Sequence, residues 1–429
     1  LAEDLRFRKR SVFINPSDAF TFKLQSIEDI KNECLFVVDT NILLLPFTTG
    51  VKSLTAIKSV YENLVANDRL FLPAQVVREF LDNRAQKLSE MKESLQKKLN
   101  QSYQYVGAHP LLSELPEFKA LEEQEVNLKE QISKYNEEIK KTIGVIQSWG
   151  WDDPVSQMYH EVLSDRVLDD SFIKNEEIAK DLERRNTLSI PPGYKDKEKE
   201  ENQAGDLLIW HEILNLAEKK GSHLVFVTGD EKQDWWHQSG RKALYPRFEL
   251  VDEYRERSKG KSFHMVSLSS LLKLFDAEEE VIEAVKSSES TLTFATKHSQ
   301  LSNVELRDRA LDIVNELREK ISQERMLSDQ LSSKRMEAVR TASSEEEKSL
   351  MWNKFNELDR EPTRSLMNFY NSNHKIDAIL IRSELERRLP RALLDNRSGH
   401  VEHIYEHPTN PLGLTDVADD LEILAKSLV

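Results

Sequence analysis

The chain has one cysteine, Cys34, in 429 residues, so it closes no internal disulfide and lacks the second thiol that a zinc cluster built on paired cysteines requires. Glycine and proline are scarce, at 12 and 13 residues, against an average usage of about 7% and 5%. That scarcity disfavours β-sandwiches, long linkers and disorder, and favours long helices. No apolar run approaches the ~18 residues of a membrane span, which excludes the membrane as partner. Positive charge is not in excess either. Lys+Arg 60 against Asp+Glu 75 leaves −15, which rules out a uniformly basic protein that coats nucleic acid. The residues present show no charged-then-apolar leader, and a lone thiol suits a reducing compartment, so the cytoplasm is the expected location.

What is present is a set of short apolar runs that end at carboxylates. Residues 1–30 read as an N-terminal extension with a basic cluster at Arg6, Arg8, Lys9 and Arg10. From Cys34 to Asp39 the chain is apolar and rich in β-formers, then stops at an acid, as a buried parallel strand does. Val51, Leu54, Ile57, Val60, Tyr61 and Leu64 follow at helical spacing, and a second short strand is predicted at Leu70–Leu72 before Pro73. Strand, helix, strand is a crossover unit. Residues of about 85–185 turn charged and helical, with one stripe at Leu88, Met91, Leu95 and Leu99 and another at Leu121, Val126, Leu128, Ile132, Tyr135 and Ile139. This predicts a helical hairpin inserted into the sheet domain. An amphipathic helix over Asp206–Ala217 then leads to a buried strand, His223–Thr228, which runs into Gly229 and Asp230. A last strand at Phe263–Val266 and a helix over Ser269–Phe275 complete an α/β domain of 31–276. Residues 277–429 read as an all-α module, with helical segments near 302–340, 344–358, 375–388 and 414–428.

In an open parallel sheet, ligands sit outside the carboxyl ends of the strands, so Asp39 and Asp230 are expected to face one crevice. Glu79 lies on the first turns of the helix after the second strand. Asp206 opens a helix as a ligand or a cap, and Asp234 lies one turn beyond Asp230. Carboxylates at this density repel one another, and a hard divalent cation, Mg²⁺ or Mn²⁺, is the natural way to neutralise them. Such ions activate water and stabilise charge on a scissile phosphate without a cysteine or histidine nucleophile. Phosphodiester hydrolysis is the implied reaction, with Lys195, Lys197 and Lys232 as candidate contacts to flanking phosphates.

Together these residues carry a resemblance. The run Val37-Val38-Asp39-Thr40-Asn41, Glu79, then Gly205-Asp206 and Val227-Thr228-Gly229-Asp230 with Asp234 resembles the pattern of PIN-domain nucleases. The strings from Pro191 to Lys197, from Gly205 to Trp210 and from Asp230 to Trp236 resemble a bacterial PIN-like subfamily with a long helical insertion. The resemblance covers roughly residues 30–275 in pieces and leaves out the insertion and the tail. It implies a PIN-like parallel sheet flanked by helices and metal-binding carboxylates at Asp39, Glu79, Asp206 and Asp230. Asp234 is implied as a further acid and Asn41 as the polar residue that holds the first aspartate. It also implies an Mg²⁺- or Mn²⁺-dependent nuclease acting on RNA ahead of DNA, in the manner of a toxin or antiphage effector.

Blander readings stand beside these. Asp39, Asp206 and Asp230 are favoured helix caps in any protein, and a catalytically silent scaffold would keep the same fold. Trp235 and Trp236 read as core and wall before they read as base-stacking residues. His403, Glu406 and His407 match a zinc-peptidase string, but Pro408 interrupts the helix it needs, so the match reads as chance. The apolar stripes of the C-terminal helices suggest oligomerisation or a partner protein.

Overall fold

The computed structural model describes the chain apart from residues 1–4, 14–15, 17–19, 21, 100–104, 108, 198–200, 240–241, 300, 343, 359, 391–400, 407, 409 and 429. His407 and the side chain of His403 therefore lie outside the described residues. The chain divides into two compact units, Leu1–Ser290 and Thr291–Val429.

The first unit is built on a parallel sheet of order β2-β1-β3-β6, with β1 at Leu35–Val38, β2 at Leu70–Phe71, β3 at Leu224–Val227 and β6 at Phe263–Val266. Every residue of β1 and β3 is buried, which is why both read as unbroken apolar runs: a parallel sheet is covered on both faces. Before the sheet come two short helices, α1 (Arg8–Val12) and α2 (Ile27–Ile30). After β1 come α3 (Thr40–Leu44) and α4 (Val51–Ala66), whose Ile57, Val60, Tyr61 and Leu64 are buried, as their spacing predicts. The chain goes from β1 outward to β2 on one side and later returns to β3 on the other. The β1/β3 seam is thus the point where strand order reverses and a crevice opens.

The insertion grows out of the domain rather than being appended to it. Helix α5 (Ala74–Leu99) starts with Val76 and Phe80 in the core and continues without a break into the first arm. The second arm, α6 (Pro116–Ser148), packs back so that Val145, Ile146 and Trp149 meet Met91 and Leu95 across a groove of about 400 Å³. Its return is clamped by buried Arg84. Arg84 Nε donates to Asp153 Oδ2 at 2.9 Å and to Ser156 Oγ at 2.8 Å, and the guanidinium lies 4.5 Å from the Trp151 ring centroid. Then follow α7 (Pro154–Leu163), α8 (Asn175–Leu188) and α9 (Gly205–Lys220). Beyond β3 lie an antiparallel hairpin, β4 (Trp236–Ser239) and β5 (Lys242–Pro246), and α10 (Phe248–Arg257), then β6, α11 (Leu268–Leu274) and α12 (Glu279–Ser299). The division between the two units falls inside α12, after Ser290. Glu289 explains this, because it accepts hydrogen bonds from the amides of Leu268 and Ser269 and from Ser269 Oγ, tying the first part of α12 to the start of α11.

The second unit is all-α: α13 (Asn303–Thr341), α14 (Glu345–Leu358), α15 (Arg360–Asn373), α16 (Lys375–Arg388), α17 (Val401–Glu406) and α18 (Pro411–Ser427). Ser302 and Glu305 form a reciprocal capping box at the start of α13. Residues from five of these helices, among them Ile313, Leu317, Tyr370, Leu385, Tyr405 and Leu421, share one core. Helix α15, which the sequence does not announce, carries Pro362 in its first turn, where a missing N–H costs nothing. Among the described residues no helix is long and apolar enough to cross a membrane.

Candidate active site

Parallel pairing of Val38 with Val227 brings the ends of β1 and β3 to one edge of the sheet. Asp39 leaves β1 there, with its amide still bonded to the Val227 carbonyl at 3.0 Å. Its side chain caps α3, Oδ1 accepting from the Thr40 amide at 2.7 Å, while Oδ2 accepts from Asn41 Nδ2 at 2.7 Å and Thr228 Oγ1 at 2.6 Å. Asn41 in turn accepts from the Gly229 amide at 2.8 Å, so one amide side chain stitches together the turns after both strands. Glu79 comes in from α5. Its Oε2 accepts from Thr40 Oγ1 at 2.6 Å, and its Oε1 from Asn202 Nδ2 at 2.8 Å and Gln75 Nε2 at 3.1 Å. Gly205 allows this approach, since a Cβ there would lie 2.6 Å from Glu79 Oε1.

The other acids gather around one ammonium. Lys232 Nζ lies 3.1 Å from Asp230 Oδ2, 3.5 Å from Asp206 Oδ2 and 3.7 Å from Asp196 Oδ2. Asp206, on the first turn of α9, also accepts from Trp235 Nε1 at 3.1 Å. Asp230 is held at its amide by Thr228 Oγ1 at 3.0 Å, and its carbonyl accepts from Trp236 Nε1 at 2.6 Å. Asp234 is fully buried. Its Oδ2 accepts from the Gly193 amide at 3.0 Å, and its Oδ1 has no hydrogen-bond partner among the described residues.

Burial and mutual repulsion set the electrostatics. Desolvation, reinforced by Asp206, Asp230 and Glu79 and opposed by the Thr228 hydroxyl, pushes the Asp39 carboxyl up to about 7. Burial also raises Asp230, with Asp206 adding and Lys232 opposing. Burial and Asp206 push Asp234 up to about 6. Burial would lower Lys232, but Asp206, Asp230, Asp196 and Asp234 overwhelm it and hold the ammonium charged far above its ordinary range. The pocket therefore carries more negative charge than one lysine neutralises.

A family model described as a PIN-like domain matches residues 35–250, half of the chain. The chain belongs to the PIN-like family. No curated protein and no solved structure matches it. The matched span of the PIN-like domain contains every acid of this pocket. The structure brings Asp39, Glu79, Asp206, Asp230, Asp234, Asn41 and Lys232 to the carboxyl edge of the sheet. Lys232 faces inward onto carboxylates, whereas Lys195 and Lys197 are exposed on the loop before α9, Lys195 Nζ lying 6.0 Å from the Tyr194 ring centroid. Trp235 is wall: it is buried against Phe226 and Trp210, with ring centroids at 5.3 and 6.1 Å.

Sequence reasoning missed Asp196, Thr228, Thr40, Asn202 and Gln75. Asp196, Thr228 and Thr40 all sat inside strings already singled out, and Asp196 is buried between two exposed lysines. The loop that carries it in the PIN-like domain is anchored by buried Arg185. Arg185 donates to the Pro191 carbonyl and pairs with Asp181 at 2.8 Å and Glu253 at 2.7 Å.

The donor set suits a hard divalent cation in chemistry: carboxylate oxygens in excess of positive charge, several raised by one another, and one buried oxygen on Asp234 without a partner. Among the described residues no three His, Cys, Asp or Glu side chains already form a cation cage, and Lys232 lies between three of the acids.

Proposed function

We propose that this chain is a metal-dependent nuclease that hydrolyses phosphodiester bonds in RNA, ahead of DNA, in the acidic pocket at the β1/β3 edge. The observation that supports it is the convergence of acids from β1, α5, α9 and the turn after β3 on one edge, close enough that Asp206, Asp230 and Glu79 all raise Asp39. Asp39, Glu79, Asp206 and Asp230 would hold Mg²⁺ or Mn²⁺. When bound, such an ion supplies Lewis-acid polarisation of a phosphate oxygen and a water acidic enough to attack at neutral pH. The chain's own residues do the positioning. Thr228 and Asn41 aim the Asp39 carboxylate, Thr40 and Asn202 aim Glu79, and Trp235 orients Asp206. Lys195 and Lys197 contact phosphates on either side of the cut, and Asp234 adds negative charge behind Asp206.

One observation favours a second reading, a silent scaffold, because Lys232 already stands where it neutralises Asp206 and Asp230. Cleavage of single-stranded RNA, structured RNA and DNA in Mn²⁺, Mg²⁺ or EDTA separates the two. The nuclease reading expects metal-dependent cutting that Asp39→Asn and Asp230→Asn abolish in folded protein. Absence of cutting together with absence of metal binding by calorimetry would leave the scaffold. A role as a toxin or antiphage effector, in the cytoplasm and with the C-terminal helices as an oligomer or partner contact, belongs to the same proposal. Size measurement across concentration, with and without RNA, tests the contact, and a strictly monomeric chain would remove the oligomer.

A further inference from the structure

The acidic pocket is continued by a piece of structure that its chemistry does not use, the hairpin β4–β5. Asp234 leads directly into it through Trp235 and Trp236, and both indoles fasten its base to the pocket, Trp235 Nε1 on Asp206 Oδ2 at 3.1 Å and Trp236 Nε1 on the Asp230 carbonyl at 2.6 Å. The Arg247 amide, just past β5, donates to the Trp235 carbonyl at 2.9 Å and closes the base from the other strand. The hairpin is thus held to the acids at both strands, and three residues of chain from Asp234 to His237 span at most about 11 Å.

Its outer face is aromatic. His237 and Tyr245 are cross-strand partners whose rings lie nearly parallel, with centroids 5.0 Å apart and planes 7° from each other. Both are exposed, Tyr245 at 55%. A cross-strand aromatic pair stabilises a hairpin by itself. That role, however, does not require the pair to stand in solvent on the element next to the acids, with the larger apolar side chain of Trp236 turned to the half-buried face. An open, flat, polarisable surface beside a phosphodiester-cutting pocket has the chemistry of a base-stacking platform, which accepts any base because every base has a π-face.

We propose that the His237–Tyr245 pair is the platform on which a nucleobase of a single-stranded polynucleotide stacks, one step along the strand from the phosphate held in the acidic pocket. The inference rests on the nuclease reading and adds the substrate class: an unpaired strand rather than a duplex, whose bases are stacked away from such a surface.

The test is fluorescence anisotropy with the full chain in Mg²⁺, using a labelled phosphorothioate oligo(U), an abasic strand of equal length and the same oligo(U) paired with its complement. The unmodified chain is expected to bind the unpaired, base-bearing strand about tenfold or more tightly than the abasic strand or the duplex. Tyr245→Ala should erase that preference without weakening abasic binding, and Tyr245→Phe should keep it. Should Tyr245→Ala melt early, Tyr245→Leu keeps an apolar cross-strand contact, removes the aromatic face and gives the deciding comparison. Strand binding with the preference intact in these variants would overturn the platform and leave the nuclease reading standing. Binding of no strand by the unmodified chain would overturn both.

Discussion

At the scale of single residues, the site works by making short polar groups serve two acids at once. Thr228 Oγ1 donates to Asp39 Oδ2 and accepts from the Asp230 amide, so the isosteric change Thr228→Val frees the first carboxylate and orphans the second acid's backbone. Metal affinity or cleavage rate should fall about 10- to 100-fold, as for other residues that orient metal ligands, and an Mg²⁺ titration of the cleavage rate measures it. Lys232 presents the reverse case. Its removal in Lys232→Met leaves Asp206, Asp230 and Asp196 facing one another in a desolvated pocket, and breaking a buried ion pair from one side costs ~3–5 kcal/mol. The variant should therefore melt well below the parent in EDTA and recover most of the difference in millimolar Mn²⁺. Equal deficits in EDTA and Mn²⁺ would show that the pocket takes no cation. Asp39 and Asp230 were legible because strands that end at acids place them at a known edge. Asp196 was not, because nothing within the run tells which member of Lys-Asp-Lys turns inward; Arg185, near the end of α8 just before the loop, holds the Pro191 carbonyl and so fixes the loop's path.

At the scale of elements, one helix is started by another's carboxylate. Glu212 on α9 accepts from the amides of Ala74 at 2.5 Å and Gln75 at 3.1 Å, two of the donors that the first turn of α5 cannot satisfy internally. Burial nevertheless outweighs these bonds and pushes Glu212 up to about 7, from an unfolded value of 4.5. A carboxyl whose folded value is raised holds extra protons in the native state. Its share of stability is therefore highest below the unfolded value and declines as pH rises from about 4.5 to about 7, by ~3 kcal/mol in total. Glu212→Gln should remove this slope, and should cost ~1–2 kcal/mol at pH 5 because the amide turns an NH₂ toward a backbone donor. Urea unfolding midpoints of the two proteins between pH 4.5 and 8 give the comparison, and parallel curves would mean that Glu212 does not titrate in this range. The strands β1, β3 and β6 and the helices α4 and α9 were readable from periodicity. The hairpin β4–β5 and α10 were not: the first is short, with a half-polar face, and packing against α9 and β6, not a strong local pattern, secures the second.

At the scale of the whole molecule, the C-terminal unit carries a core made only of its own residues, from Leu306 to Leu428, so Thr291–Val429 is expected to fold when expressed alone. Where such a fragment begins matters. His298 Nε2 lies 2.6 Å from Asp377 Oδ1, and Arg309 Nη2 donates to Asp377 Oδ2 at 2.5 Å, both with Asp377 buried on α16. Arg388 donates to the carbonyls of Leu301 at 2.7 Å and His298 at 3.3 Å. A fragment that begins at Ser302 keeps the capping box but loses His298 and Leu301, which takes one contact from the buried Asp377 carboxylate and two carbonyl acceptors from Arg388. Burial resists the ionised form of Asp377, but the His298 and Arg309 contacts outweigh it and lower its titration below the ordinary aspartate range. The stabilisation they give is present above that range and is lost as pH falls through the folded value, so it operates in full at neutral pH. The shorter fragment should thus unfold at least ~2 kcal/mol more easily than the longer one at pH 7, with the gap narrowing in acid. Equal midpoints for the two fragments in urea would mean that the His298 contact does not hold the start of this unit in place.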